Sequence, residues 1–158
     1  RTVCPRDARA REGISEFDRF SGPREGYVEQ CYFFELAGRK TSEETCVLLR
    51  SRDGSLGSSL HFSLKQMPCF TLWKNTAAAQ DGYVIGLEPA TNYPNAKRFE
   101  RAKGRVLSLE GGETHRIDLT VAVHDSRQGV QAMERLIRQI QKNVTPRVSR
   151  QPLRRLSG

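Results

Sequence analysis

Cysteine pairs are missing from this chain: it holds four cysteines in 158 residues, and none stands in a C-x-x-C pair. The spacing of Cys4, Cys31, Cys46 and Cys69 therefore suits neither zinc nor thioredoxin-like exchange. Cys31 and Cys46 fall inside strand-like runs, where a free thiol serves as a small apolar residue. They read as reduced core cysteines of an intracellular protein. Histidine is scarcer, with only His61, His115 and His124, none at metal-ligand spacing from another. No metal site is expected. A G-x-S-x-G elbow, a phosphate-binding glycine loop and H-E-x-x-H are all absent, so serine hydrolysis and dinucleotide chemistry are set aside. No apolar run approaches the ~20 residues of a membrane span, and no membrane partner is expected. The chain opens on Arg1-Thr2-Val3, which reads as the interior of a longer protein whose upstream part is out of view.

Charge is plentiful but uneven. The net charge is +8, and the tail 143–158 carries Arg147, Arg150, Arg154 and Arg155 without one acidic residue. It reads as a basic, flexible, solvated tail. No row of stacking aromatics and no base-reading motif accompanies it, so nucleic acid is not an expected partner.

Residues 1–27 are charged and irregular, broken by Gly22-Pro23 and Gly26, and read as a connecting segment. From 28 to 125 the text is strand after strand, over 29–36, 45–50, 59–65, 70–74, 83–88, 105–109 and 115–124. In the last of these, Ile117, Leu119, Val121 and Val123 alternate with Arg116, Asp118, Thr120 and His124. Short strands without intervening helices argue for an all-β antiparallel sandwich and against βαβ units. One helix is expected over 126–142, where Val130, Met133, Leu136, Ile137 and Ile140 form a packing stripe.

The residues best suited to chemistry lie in Gly82-Tyr83-Val84-Ile85-Gly86-Leu87-Glu88-Pro89. Alternation sends Gly86 and Glu88 to one face, opposite Ile85 and Leu87. Pro89 cannot donate to a ladder and ends the strand. A carboxylate at a strand end beside a glycine hollow is placed to act as a general base; on the pattern alone, the commoner reading is a solvated Glu at the edge of a strand. Trp73-Lys74-Asn75 forms a second cluster. An indole face suits the C–H face of a sugar ring, with Lys74 and Asn75 as donors to its hydroxyls; equally, Trp73 plugs a core and Lys74 meets water. His61 shares a face with Ser59, Ser63 and Lys65, which lines a polar cavity or faces solvent.

Gly86-Leu87-Glu88-Pro89-Ala90-Thr91-Asn92-Tyr93-Pro94-Asn95-Ala96 resembles the late motif of the galactose mutarotase (aldose 1-epimerase) family, where a strand-end Glu precedes Asn-Tyr-Pro-Asp-Ala. Leu109-Glu110-Gly111-Gly112-Glu113 resembles that family's turn into its final strand. Trp-Lys-Asn ahead of the Glu motif is closest to a less characterised branch. The resemblance covers about residues 26–125. It implies the C-terminal half of a β-supersandwich with a sugar on a concave sheet and no cofactor; a cytoplasmic location is the expectation that goes with the reduced cysteines. It also implies Glu88 as catalytic base in anomer interconversion by ring opening; from their own chemistry and position, Trp73, Lys74, Asn75, Asn92 and His61 are expected around the sugar. The family's acid and sugar-positioning histidines lie upstream of the residues present. Ala90 stands where well-characterised members have Gln, and Gly111 where they have Pro.

The partners expected are therefore a small carbohydrate, the missing N-terminal half, and a second copy in a homo-oligomer. The alternatives are a non-catalytic carbohydrate-binding module, or a phosphosugar epimerase using Lys97, Arg98, Arg101 and Lys103. A basic adaptor acting through the arginine tail is the remaining one.

Overall fold

The computed structural model describes residues 2–158. In chain order its elements are β1 (Thr2–Pro5), α1 (Ala8–Glu12), β2 (Gln30–Glu35), β3 (Glu44–Arg50), β4 (Gly57–Ser63) and β5 (Cys69–Asn75). They continue with β6 (Val84–Ala90), α2 (Lys97–Ala102), β7 (Leu119–His124), α3 (Arg127–Gln141) and β8 (Arg147–Val148). The chain is mostly β, with two sheets and few helices. It divides into two units: one holds the chain up to Glu35, Pro68–Ser108 and Pro146–Gly158; the other holds Leu36–Met67 and Leu109–Thr145.

The first unit is a five-stranded sheet in the order β6-β5-β2-β1-β8, antiparallel except for the β1–β8 pair. Period-two alternation gives it two packed faces. One buries Cys4, Cys31, Phe33 and Cys69 with Tyr93 and Leu156. The other buries Val3, Tyr32 and Leu72 beneath Ala10 and Ile14, with Phe17 and Phe20 against them. The segment 1–27 is thus more than a connection. Asp7 accepts from the Ala10 N–H at 2.9 Å and caps α1, and the turns beyond it roof the second face. Gly82, at φ 86°, makes the left-handed turn into β6 that a side chain would strain.

The tail also differs from its expected flexibility. β8 pairs with β1, Leu156 is buried at 4% exposure, and Arg155 forks onto Glu35 at 2.9 and 3.0 Å. Two apolar residues, Leu153 and Leu156, hold the arginine-rich stretch to the sheet.

The second unit is a three-stranded antiparallel sheet in the order β3-β4-β7. α3 is the expected terminal helix, capped by Ser126 and packed through Val130 and Met133. The strand expected over 115–124 begins only at Leu119, because the Asp118 N–H goes to the Gln66 side chain. Residues 105–109 form no strand, since the Arg105 N–H caps the end of α2 at the Glu100 carbonyl. Leu119, Val121 and Val123, the apolar side of the alternation, are 46%, 63% and 80% exposed. Among the described residues no helix is long and apolar enough to cross a membrane.

Candidate functional site

The site is built by ladder register. Antiparallel pairing sets Cys31 opposite Trp73 and Trp73 opposite Gly86, while Phe33, Thr71 and Glu88 form the next row. Directly paired residues share a face. Trp73, Gly86 and Glu88 therefore stand together on the side of Cys31 and Phe33. The Arg6 N–H donates to the Cys31 carbonyl at 2.9 Å, carrying the first row one residue beyond β1.

Gly86 matters because the Glu88 carboxylate folds back into the space its missing side chain leaves, alongside Trp73 Cβ. Glu88 is half-buried, and among the described residues no hydrogen bond or ion pair reaches its carboxylate. Burial alone pushes its pKa above the usual carboxylate value. An unpaired, partly desolvated carboxylate is a base without a structural occupation. Trp73 is half-buried, lies against the core cluster and donates from Nε1 to Glu29 Oε2 at 2.7 Å. The indole is thus part core and part floor.

The remaining expected residues are placed differently. Lys74, one step along β5, is on the reverse face and only 6% exposed. Its ammonium donates to the Glu16 and Arg19 carbonyls at 2.9 and 2.5 Å and lies over the Phe20 ring, so it ties down the N-terminal segment. Burial lowers its pKa. Asn75 returns to the Trp73 face but donates to the Gly82 carbonyl at 3.3 Å, and Asn92 donates to the Tyr93 carbonyl at 2.8 Å. His61 belongs to the second unit. Its Nε2 lies 2.9 Å from the hydroxyl of the buried Ser59, which also meets His124 Nε2 at 2.9 Å. His61 lines an open polar pocket of about 400 Å³ with Glu44, Lys65 and Asp118.

The loop after Glu88 is held by a buried ion pair. Glu100, fully buried, accepts from Arg105 Nε and Nη2 at 2.6 and 2.7 Å, from Asn95 at 2.7 Å and from the Tyr93 N–H at 3.2 Å. Arg105 also lies over the Tyr93 ring, which packs 4.8 Å from Phe33. Burial would raise the Glu100 carboxyl, but these hydrogen bonds outweigh it and hold the carboxyl below its usual value.

Arg6, Cys31 and Glu29 join the site unannounced by any motif. Burial raises the Cys31 thiol, while Arg6 beside it acts the other way and the Glu29 and Glu88 charges add to the rise. Among the described residues no three His, Cys, Asp or Glu side chains gather as metal ligands would.

No curated protein matches the chain. Among solved structures, a protein of Klebsiella pneumoniae subsp. pneumoniae MGH 78578, described as a putative aldose 1-epimerase, is 28% identical and superposes with a TM-score of 0.91. The match covers 96% of this chain and 39% of that one, so this chain spans well under half its length. The fold is thus that of an aldose 1-epimerase-like protein. Matching over residues 1–123, the chain belongs to the family described as Domain of unknown function (DUF4432).

Proposed function

We propose that this chain carries the base-bearing part of an aldose 1-epimerase-like protein that binds a carbohydrate and interconverts its anomers. The observation that carries the reading is Glu88: half-buried, unpaired, raised in pKa, and folded over Gly86 beside the chain's single tryptophan. Glu88 takes the proton of the anomeric hydroxyl. The ring oxygen is protonated in turn by an acid that the family resemblance locates upstream. The ring then opens, the C1–C2 bond rotates, and closure yields the other anomer, with Glu88 returning its proton. No cofactor enters this scheme.

The same reading makes the chain the C-terminal half of a supersandwich, in the less characterised branch of the family. The exposed Leu119, Val121 and Val123 support it, since an apolar sheet face of this kind is normally covered. The phosphosugar alternative would rest on Lys97, Arg98, Arg101 and Lys103, which are exposed on or just after α2.

Anomer exchange measured by NMR on the full-length protein, as wild type and as Glu88→Gln, tests the function. The reading expects the variant to lose about 10²–10⁴-fold in rate, while sugar still quenches Trp73 fluorescence in both. Quenching without exchange in either protein would mark a binding module.

A further inference from the structure

A base on one side of a ring cannot orient the ring alone; the opposite edge needs a donor. The row of the sheet that holds Gly86 provides a candidate. It runs Gly86, Trp73, Cys31 and then Arg6. Arg6 lies two residues past Cys4 and shares its face, so its side chain stands on the Glu88 side of the sheet. Its Nη1 reaches Cys31 Sγ at 3.7 Å, and its Nε lies 3.4 Å from Asp7 Oδ2. Both are long contacts, Arg6 is 40% exposed, and Nη2 has no partner among the described residues. A guanidinium has five donors in a planar fork, and most of this fork is free.

The spacing suits a single ring. Arg6 reaches the column of Cys31 and the Glu88 carboxylate covers the column of Gly86, two strand spacings apart, or about 10 Å. Between them the floor is the Cys31 thiol and the Trp73 indole. Arg6 Nη1 meets the Cys31 thiol and the Glu88 carboxylate lies over Gly86 beside Trp73 Cβ, so the two charged heads border this floor from opposite ends.

We propose that Arg6 is a substrate-positioning residue, donating to hydroxyls on the ring edge away from the anomeric carbon that Glu88 attends. This assignment rests on the sugar-epimerase reading above. It also narrows the substrate. Glu88 and Glu29 outnumber Arg6 beside this floor, so the field there is net negative and an uncharged aldose is selected over a phosphorylated or carboxylated one.

The test is anomer exchange with neutral aldoses, their 6-phosphates and their uronates, on the full-length protein as wild type, Arg6→Gln, Arg6→Lys and Asp7→Asn. Arg6→Gln is expected to raise KM for neutral sugars about 10–100-fold, the value of a hydrogen bond to a charged group. Its kcat should stay within about threefold and its pH profile should not move. Arg6→Lys should recover part of the loss. Asp7→Asn keeps a cap for α1 and frees the guanidinium, so KM should fall. Asp7→Asn also keeps the idea testable should Arg6→Gln not fold. An unchanged KM in Arg6→Gln, or in Asp7→Asn a KM that stays level or rises, would overturn the assignment. A preference for anionic sugars would overturn the substrate class. Sugar binding that Arg6→Gln leaves intact refutes Arg6 alone; no sugar binding by wild type refutes the function as well.

Discussion

Glu100→Gln tests whether the loop beyond Glu88 is positioned by the buried ion pair. Glu100 is 0% exposed and Arg105 17%, and the carboxylate holds two contacts from that guanidinium besides those from Asn95 and Tyr93. Removing one partner of a buried pair costs about 3–5 kcal/mol because the other charge is left uncompensated. The partial exposure of Arg105 favours the lower end, about 3 kcal/mol, or about 6–12 °C in Tm for a chain of this length. Thermal and urea unfolding followed by circular dichroism would measure it. A second variant, Arg105→Gln, and the double variant complete a cycle with an expected coupling above about 1.5 kcal/mol. The pH dependence carries its own sign. The folded carboxyl titrates below its ordinary value, so its stabilisation is present above about pH 4.3 and is lost as pH falls through the depressed value. The gap between wild type and Glu100→Gln should therefore close in acid. A cost under about 0.5 kcal/mol at pH 7, typical of surface sites, would refute the reasoning.

Other consequences can be checked alongside. Leu156→Ala should destabilise by about 2–5 kcal/mol as a buried truncation, while Val148→Ala, at an exposed position, should stay within about 0.5 kcal/mol in the same melts; equal effects would contradict the docked tail. The acid limb of anomer exchange should have its midpoint above 4.5, because burial raises Glu88 and the ionised form is the base; a midpoint below that value would refute the desolvated site. Glu88→Gln should also stabilise the fold slightly at pH 7 and not at pH 3.5, a difference that urea titrations would show. Lys74→Met should cost about 1–3 kcal/mol through the two carbonyls it abandons yet leave sugar affinity unchanged; weaker sugar binding would return Lys74 to the site. Ser59 can donate only one proton, so at least one of His61 and His124 must donate from Nε2 to its hydroxyl, a protonated Nε2 that ¹⁵N spectra would show and that Ser59→Ala should disturb.

Much of the site's local geometry is legible from alternation alone. Gly86 and Glu88 had to share a face; the expected stop at Pro89 fails, because β6 is the edge strand, where a proline is tolerated, and it runs on to Ala90 with Pro89 opposite Phe70. That Trp73 stands opposite Gly86 was not legible, because register between strands is set by long-range pairing. Arg6 escaped notice for a related reason. β1 is only four residues long and ends in Pro5, and a proline at a strand end is tolerated where no ladder N–H is needed. Such a strand shows too little alternation to stand out from its charged surroundings. The tail misled through composition: four arginines suggested solvation, whereas Leu153 and Leu156 decide where the backbone goes. Lys74 shows the converse. A lysine between strand residues usually means solvent, and here backbone carbonyls from turns far away in sequence have captured it.

The order β6-β5-β2-β1-β8 also bears on how the molecule is made. Thr2 lies beside Arg147, so nearly the whole chain must leave the ribosome before this sheet acquires its last neighbour. Such distant closure slows folding, and meanwhile Cys4 and Phe33 stay without the leucine that covers them. Nascent chains stalled before that point are the form most exposed to chaperones and to aggregation.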